Sequence, residues 1–331
     1  MSLTSRTPET GLRLSAMLRT AFCAGIRGAL EDPATIEIMA NPDGDVWIER
    51  AGTGMEAAGF TLSAEDRERV IRLVASSLGE TLSRTAPVIS AELPGSGERF
   101  EGVLPPVATA PCFSIRKASA TALGLDDYVA RGALSAPLAL ALREAISARA
   151  NLLIAGGTSS GKTTFANALL AEPGFAGDRL VILEDTRELT PPSPNAVRLR
   201  TLPGHVSLQQ LVRATMRLRP DRIIVGEVRG GEALDLLKAW NTGHPGGITT
   251  LHASSAMGAL SRLEQLTAEV TPARPQTLIG EAVDVIVFLS RAGGMRRVTE
   301  ALRVRRFDAG AYVTEPLAPQ KLSLVRYGDR S

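Results

Sequence analysis

Hydrophobic positions near the start of the chain recur at helical spacing. Large apolar side chains occupy every fourth position between residues 14 and 30, at Leu14, Leu18, Phe22, Ile26 and Leu30. Because this spacing places the five side chains on one face of a helix, the pattern predicts an amphipathic helix over these residues.

Strand-like patterns follow this predicted helix. The segments TIEIMA and DVWIER flank the turn sequence NPDG at residues 41–44, which predicts two strands joined by a turn. Ser63 begins a capping-box pattern that predicts a helix ending near Leu78. Three further strand-like runs come next, VISAEL, RFEGVL and CFSIRK. Because these elements mix without a strand–helix–strand rhythm, residues 1–118 predict a smaller α+β N-terminal domain.

A different pattern begins after residue 118. Residues 119–135 contain many Ala, Gly and Ser residues and predict a linker, and a helix is expected from Ser135 to about Ala148. Apolar runs then alternate with helical or loop segments: NLLIAG, LVILED, RIIVGE, GGITTLHA and VDVIVFL. This alternation predicts an α/β domain over residues 136–331, with a mostly parallel sheet covered by helices on both faces.

Composition narrows the range of functions only modestly. The length of 331 residues is sufficient for two hydrophobic cores, and the net charge of +2 does not indicate a polyanionic partner. No apolar run approaches the ~20 residues of a membrane-spanning helix, and the N-terminus lacks the pattern of a secretory signal. Cys23 and Cys112 have no metal-type spacing, so a cytoplasmic, reducing location is expected.

Residues 156–163, GGTSSGKT, fit the P-loop pattern G-x-x-x-x-G-K-[ST]. A strand is predicted directly before the motif and a helix directly after it, as phosphate binding requires. Backbone N–H groups of such a loop cradle phosphate oxygens, the lysine neutralises them and the final hydroxyl ligates Mg²⁺. The structural alternative is a glycine-rich strand-to-helix turn without a ligand. The predicted nucleotide-binding residues here are Gly156, Gly157, Thr158, Ser159, Ser160, Gly161, Lys162, Thr163 and Thr164.

Acidic residues follow two of the predicted strands. LVILED ends in Glu184 and Asp185, and RIIVGE ends in Glu227. Because the carboxyl ends of parallel strands line the ligand crevice, these acids are candidates to hold Mg²⁺ or to orient the attacking water. The alternative for Glu184 and Asp185 is a solvated loop or the N-cap of the next helix.

Two of the three histidines lie in one stretch, NTGHPGGITTLHA at residues 241–253. His244 precedes the predicted strand and His252 lies near its end. A histidine bonded to the γ-phosphate or to a catalytic carboxylate would report the nucleotide state. A zinc site is disfavoured because cysteine partners are lacking, and we expect a structural role for His252.

Four sequence blocks in this order resemble the traffic ATPases of type II and type IV secretion systems, and among them the conjugal-transfer ATPases. The blocks are GGTSSGKTT, LEDTREL, LRPDRIIVGEVRGGEA and NTGHPGGITTLHASSA, and they cover roughly residues 150–260. In that family they are the Walker A motif, the Asp box, an atypical Walker B motif and the His box. One departure is visible, because Gly226 and Glu227 lack the aspartate that commonly precedes them in a Walker B motif.

The resemblance implies a RecA-like C-terminal domain and a homohexameric ring that binds ATP and Mg²⁺ between its two domains and neighbouring subunits. It implies a place on the cytoplasmic face of the bacterial inner membrane, where hydrolysis powers pilus assembly or substrate transfer in plasmid conjugation. Inner-membrane components of the secretion apparatus, and a coupling protein among them, are the implied partners. Sequence-specific nucleic-acid binding is not expected.

The resemblance also assigns roles to residues of this chain. Lys162 and Thr163 bind phosphate and Mg²⁺, Glu227 is the catalytic carboxylate, and Glu184 or Asp185 supports the metal. His244 is the His-box residue nearest the phosphate. Arg99 and Arg116 of the N-terminal domain are candidates for nucleotide contacts, with ordinary surface arginines as the alternative. The arginine that acts on a neighbouring subunit stays open among Arg99, Arg116, Arg217, Arg219 and Arg229.

Three other functions remain as alternatives. A type IV pilus or type II secretion motor shares the ATPase core, although many such motors carry a four-cysteine zinc module that two cysteines cannot form. A RecA-like DNA helicase or recombinase shares the fold, but the aromatic content of 4% and the near-neutral charge do not favour a nucleic-acid channel. The third alternative is a nucleotide-binding assembly factor that does not hydrolyse ATP.

Overall fold

The computed structural model describes residues 16–117, 123–202, 204–273, 275–292 and 295–318. The chain divides into two compact units, residues 1–121 and residues 122–331. In the described residues, every helix is too short or too polar to cross a lipid bilayer.

The N-terminal unit contains a six-stranded antiparallel sheet and helices, and the strand order of the sheet is β3-β2-β1-β6-β5-β4. All five predicted strands are confirmed. The strands are β1 (Thr35–Ala40), β2 (Asp45–Arg50), β3 (Gly54–Thr61), β4 (Val88–Glu92), β5 (Arg99–Val103) and β6 (Cys112–Arg116), and the helices are α1 (Ala24–Glu31) and α2 (Ala64–Leu78). The strand β3 was not predicted, because its side chains are mostly exposed and show no apolar alternation.

Helix α2 confirms the capping pattern at Ser63. The hydroxyl of Ser63 accepts a 3.0 Å hydrogen bond from the N–H of Asp66, and Gly79 ends the helix in the left-handed region at φ 79°. The long N-terminal helix is wrong as a single element. Residues 16–21 are helical, but the helix is interrupted at Phe22 before α1 begins at Ala24.

The C-terminal unit contains an eight-stranded sheet in the order β14-β13-β12-β7-β11-β10-β8-β9. The strands from β9 to β12 in this order run parallel, and β13 and β14 extend the sheet antiparallel. The strands are β7 (Leu152–Gly156), β8 (Leu180–Glu184), β9 (Ala196–Arg200), β10 (Arg222–Val225), β11 (Ile248–His252), β12 (Val285–Ala292), β13 (Met295–Asp308) and β14 (Ala311–Pro316). The prediction of a mostly parallel sheet is confirmed, but β9, β13 and β14 were missed because arginines and partly exposed positions mask their periodicity.

Helices cover both faces of this sheet, as expected from its continuously apolar strands. In β7, Leu152 and Ile154 belong to the core on one face, whereas Leu153 and Ala155 belong to the core on the other. The first face packs against α3 (Leu125–Ala130), α4 (Ala136–Ser147) and α5 (Lys162–Leu170), and the second against α6 (Leu208–Thr215), α7 (Glu232–Asn241), α8 (Ala256–Ala268) and α9 (Gln276–Ala282). Both faces of each central strand are therefore buried.

The predicted linker over residues 119–135 is replaced in part by a packed helix. Helix α3 buries Leu125 and Tyr128, and the ring of Tyr128 packs edge-on against Phe165 of α5 with the centroids 5.1 Å apart. The segment contains many small residues, which are typical of linkers. In this protein they also allow close packing. Of the predicted linker, residues 119–122 lie outside the described residues.

Candidate functional site

The predicted P-loop connects the end of β7 to the start of α5. Ser159 and Gly161 both have positive φ angles, 57° and 93°, which turn the chain sharply between the strand and the helix. Gly156 is required by close packing, because an added Cβ would lie 2.5 Å from both the carbonyl oxygen of Leu289 and the hydroxyl of Ser160. The local geometry is therefore the strand–loop–helix arrangement that the sequence predicts.

The loop has the features of an anion site. The N-terminus of α5 carries backbone N–H groups without a side-chain cap, and its dipole favours negative charge there. The Oγ of Ser160 is buried and has no hydrogen-bond partner in the part of the chain that the structure describes. A buried hydroxyl of this kind fits a phosphate oxygen as its missing partner.

Lys162 is buried at the base of the loop, with 8% of its surface exposed. Its Nζ donates to the carbonyl oxygens of Gly156 and Gly157, both at 3.1 Å, and lies 3.2 Å from Nδ1 of His252. The amine of Lys162 thus presents N–H donors at the start of the helix, where phosphate oxygens could accept them.

Glu227 follows β10, and His252 lies between Glu227 and Lys162 and contacts both. The Nε2 of His252 is 3.0 Å from one carboxylate oxygen of Glu227, and the other oxygen accepts hydrogen bonds from Nε and NH2 of Arg229 at 2.9 Å and 2.5 Å. The Glu227 side chain is 19% exposed, whereas His252 is 47% exposed. The carboxylate is therefore held in place while the histidine faces solvent.

The pKa of His252 is lowered, first by partial burial and then by the charge of Lys162, although Glu227 acts to raise it. Because an unperturbed histidine has a pKa of about 6.5, the imidazole of His252 is neutral at pH 7. The neutral ring accepts from Nζ of Lys162 on Nδ1, and its Nε2 lies 3.0 Å from a carboxylate oxygen of Glu227 that has no hydrogen-bond partner among the described residues. His252 therefore connects the cationic and anionic groups of the site.

Glu184 and Asp185 occupy different environments at the end of β8. One oxygen of Glu184 accepts hydrogen bonds from the N–H groups of Glu188 and Leu189 at 2.7 Å and 2.8 Å, and burial raises the pKa of its carboxyl. Asp185 is 46% exposed and accepts a 3.0 Å hydrogen bond from Thr201. Glu184 thus organises the following loop, which leaves Asp185 as the more accessible acid.

Close packing between β8 and β10 explains why Gly226 precedes the catalytic candidate. A Cβ added to Gly226 would lie 3.1 Å from Cγ of Glu184, so a larger residue would push the buried carboxyl away. Gly226 therefore permits the close approach of β10 to the side chain of Glu184.

The structure corrects the expected position of His244. Its Nδ1 lies 3.1 Å from the carbonyl oxygen of Pro220, and its backbone N–H donates to the carbonyl oxygen of Ala239. The register of β11 pairs His252 with Gly156 at the carboxyl end of the strand, whereas His244 precedes the amino end. The strand therefore separates His244 from the loop, and His252 occupies the position that the resemblance assigned to His244.

The candidate arginines lie in different parts of the molecule. Arg99 and Arg116 are directly opposite each other on β5 and β6 of the N-terminal unit, and both are partly buried. Arg217 and Arg219 are exposed in the connection after α6, and Arg219 has a φ of 53°. Arg229 donates to the carboxylate of Glu227, a predicted catalytic residue. A nucleotide contact by Arg99 or Arg116 stays a prediction.

Among the described residues, no cluster of three or more His, Cys, Asp or Glu side chains could hold a metal ion by itself. Mg²⁺ in nucleotide sites takes few protein ligands and is completed by phosphate oxygens and water. The hydroxyl of Thr163, in the first turn of α5, fits that limited role. Glu184 has one oxygen bonded to backbone N–H groups and the other buried without a hydrogen-bond partner among the described residues, whereas Asp185 is 46% exposed. Support of the metal by either acid stays a prediction.

Two residues of this site were misjudged or given no definite role from the sequence, His252 and Arg229. The rule that placed the acids also favours His252, because the last residue of a parallel strand lies at the same edge as the P-loop. For Arg229, only its separation of two residues from Glu227 was visible, and this does not predict a contact.

Comparison with known proteins identifies the family of the chain. A family model described as "Type II/IV secretion system protein" matches residues 30–295. The conjugal transfer protein TrbB of Rhizobium radiobacter is 51% identical over 292 residues, which are 88% of this chain and 90% of that protein. The type IV secretion system protein VirB11 of Bartonella quintana is 31% identical over 321 residues, covering 83% of this chain and 90% of that protein.

A solved structure is also similar in fold. The Legionella pneumophila ATPase DotB aligns with a TM-score of 0.59 and 20% identity, covering 92% of this chain and 83% of that chain. At this level of identity, the similarity supports the mixed α/β architecture.

Proposed function

Because this chain belongs to the type II/IV secretion system protein family, we propose that it hydrolyses ATP to power a conjugative type IV secretion system. The C-terminal unit is proposed to be a RecA-like P-loop domain. One observation carries the proposal: Lys162, His252 and Glu227 form a continuous set of contacts beside the predicted P-loop. Such a set provides both a charge for phosphate and a carboxylate for water.

The residues of the site divide the proposed chemistry between them. Backbone N–H groups of the loop and the ammonium of Lys162 bind the β- and γ-phosphates, so Lys162 exchanges its carbonyl partners for phosphate oxygens. The carboxylate of Glu227 orients the attacking water and accepts its proton. Thr163 would hold Mg²⁺, which supplies neutralisation of charge on the phosphate oxygens. His252 contacts Glu227 and holds its carboxylate near the loop.

The contact between Arg229 and Glu227 is expected to decide which carboxylate oxygen binds the water. Arg229 donates two hydrogen bonds to the oxygen of Glu227 that does not face His252. This contact positions the carboxylate and occupies the bonded oxygen. The oxygen next to His252 is therefore the one that we assign to the water.

The test is Mg²⁺-dependent ATP turnover by the wild-type protein, Lys162→Ala and Glu227→Gln. Lys162→Ala removes the side-chain amine that binds the phosphates and should abolish both turnover and tight nucleotide binding. Glu227→Gln retains the shape but cannot accept a proton, so turnover should fall by ~100-fold or more while ATP affinity stays within about tenfold. Steady-state phosphate release and calorimetric titration measure the two quantities.

Asp185→Asn tests the second acid near Glu227, which the sequence predicts to support the metal. It should leave more activity than Glu227→Gln because its side chain is more exposed. Hydrolysis by Lys162→Ala at the wild-type rate would show that the P-loop assignment is wrong. A wild-type protein that binds ATP without turnover would support the assembly-factor alternative.

We also propose that the chain forms a homohexamer on the cytoplasmic face of the inner membrane, where it engages inner-membrane components of the secretion apparatus. This proposal rests on family membership. Closed cyclic assembly would allow an arginine of one subunit to complete the site of its neighbour. Sedimentation velocity with a non-hydrolysable ATP analogue should show a species of about six subunits. A strict monomer at tens of micromolar protein would contradict it.

A further inference from the structure

Arg296 packs against the P-loop from a strand that sequence patterns did not detect. It lies near the start of β13, directly opposite Arg291 of β12. A Cβ added to Gly161 would lie 3.2 Å from Cδ and 4.0 Å from Cβ of Arg296. The aliphatic part of Arg296 therefore covers Gly161, the residue that immediately precedes Lys162, and its guanidinium begins directly beyond that contact.

Backbone hydrogen bonds connect β13, which contains Arg296, and its neighbour β12 to the elements around the loop. Strand β12 runs parallel to β7, with Leu289 paired with Gly156. In β13, the N–H of Val298 donates a 2.9 Å hydrogen bond to the carbonyl of Ala133, after helix α3. These backbone contacts hold the Cα of Arg296 beside the loop, so the side chain needs little further ordering to reach a bound ligand.

The charge of Arg296 is also close to α3. Burial raises the pKa of the Tyr128 hydroxyl to about 12, and the positive charges of Arg296 and Arg131 act in the opposite direction. Within the described ranges, no carboxylate forms an ion pair with Arg296, in contrast to Arg303, Arg305 and Arg306 farther along the same strand. The guanidinium thus contributes positive charge beside the loop.

The order of the strands indicates which part of a nucleotide this charge would meet. Strand β7 lies between β11 and β12. The groups assigned to the γ-phosphate and the attacking water, His252 and Glu227, are on the β11 side of β7, whereas Arg296 is on the β12 side. A triphosphate bound along the loop with its γ-phosphate toward Glu227 places its α-phosphate toward the β12–β13 strand pair.

Building on the proposed function, we propose that Arg296 binds the α-phosphate of the nucleotide held by the P-loop. The guanidinium supplies a charge-assisted hydrogen bond at the end of the polyphosphate that does not react. Arg296 would therefore contribute to the affinity for both ATP and ADP, and it would contribute little to the chemical step.

The test measures binding of ADP and of tripolyphosphate by isothermal titration calorimetry, because the second probe contains phosphates without a nucleoside. Arg296→Ala should lower the binding affinity for both probes by about tenfold. Arg296→Lys keeps the charge and should recover part of that loss. Arg297→Ala is the matched control, since it removes the same charge from the neighbouring position, which faces the other side of the strand, and should change both affinities less than about twofold.

Melting curves of all variants separate binding from packing. Equal probe affinities for Arg296→Ala and wild-type protein, with only a lower melting temperature, would overturn the proposal and leave Arg296 as a cover for Gly161. Loss of ADP affinity alone would also overturn it, because the contact would then be with the nucleoside. If wild-type protein binds neither probe, the proposed function fails as well, whereas binding that depends on Lys162 but not on Arg296 contradicts this inference alone.

Discussion

The two ends of strand β11 are both rich in polar side chains, yet they are organised in opposite ways. The amino-terminal edge of the sheet contains His244, Asn151 and Arg222, and the carboxyl edge contains His252, Lys162 and Glu227. At the first edge the polar atoms are bonded to backbone groups and to Asp178. At the second edge His252 is 47% exposed, and buried oxygens of Glu227 and Ser160 have no hydrogen-bond partner among the described residues.

Arg222 is the centre of the amino-terminal edge and is 2% exposed. Its Nε donates to Asp178 at 2.6 Å, and its two terminal nitrogens donate to backbone carbonyls, among them Gly174 at 2.7 Å. The guanidinium also lies 4.5 Å from the ring centroid of Phe175. Because its donors are used internally, this arginine is a structural group despite its charge.

Glycines serve the same two purposes at both edges. A Cβ added to Gly247 would lie 2.1 Å from Nε1 of Trp240, and one added to Gly246 would lie 2.6 Å from a terminal nitrogen of Arg222. The other edge uses glycine in the same two ways: Gly156 is tightly packed, as Gly247 is, and Gly161 has a positive φ of 93° as Gly246 has one of 88°. The comparison shows that residue type alone does not distinguish a structural cluster from a ligand site; the number of unsatisfied, accessible polar atoms does.

The largest expected effect on this comparison comes from Arg222→Leu. The change leaves Asp178 without its buried partner, so the free energy of unfolding should fall by about 3–5 kcal/mol. Denaturant unfolding monitored by circular dichroism measures this loss. ATP turnover per folded molecule should remain close to the wild-type value, because the carboxyl edge of the sheet is unchanged.

Arg149→Ala provides the control, since Arg149 pairs with the same aspartate but is 43% exposed. A surface ion pair contributes about 0–1 kcal/mol, so this variant should lose far less stability than Arg222→Leu. Equal losses in the two variants would mean that burial does not distinguish the amino-terminal cluster, and the contrast between the edges would fail.

A smaller effect is expected from exchanging each histidine for alanine. His252→Ala removes the contact between Lys162 and Glu227 and should lower ATP turnover about tenfold, because hydrogen bonds to charged groups contribute ~1.5–3 kcal/mol. His244→Ala removes a contact with the carbonyl of Pro220 and should lower stability by about 1 kcal/mol without a comparable change in turnover. Steady-state kinetics and denaturant unfolding of both variants make the comparison.

The opposite pattern, with slow turnover in His244→Ala and only reduced stability in His252→Ala, would restore the assignment made from the sequence. The register of β11 argues against it, because His252 is paired with Gly156 and His244 precedes the strand.

Local patterns in the sequence were sufficient for several elements of this protein. The apolar runs that became β7, β8, β10, β11 and β12 predict a parallel sheet because both of their faces must be buried. The capping residues of α2 and the spacing from Gly156 to Thr163 depend on neighbours in the chain. Short-range stereochemistry is encoded in consecutive residues, so these features could be predicted without the fold.

The tertiary structure alone decided which side chains meet. The order of strands and their register depend on packing between residues far apart in the sequence, and a shift of one residue would move every side chain to the other face. This is why the pattern did not choose His252 over His244, or detect Arg296 on the arginine-rich strand β13. The sequence determined the chemical groups and the local turns that present them, whereas long-range pairing determined which groups share an edge of the sheet.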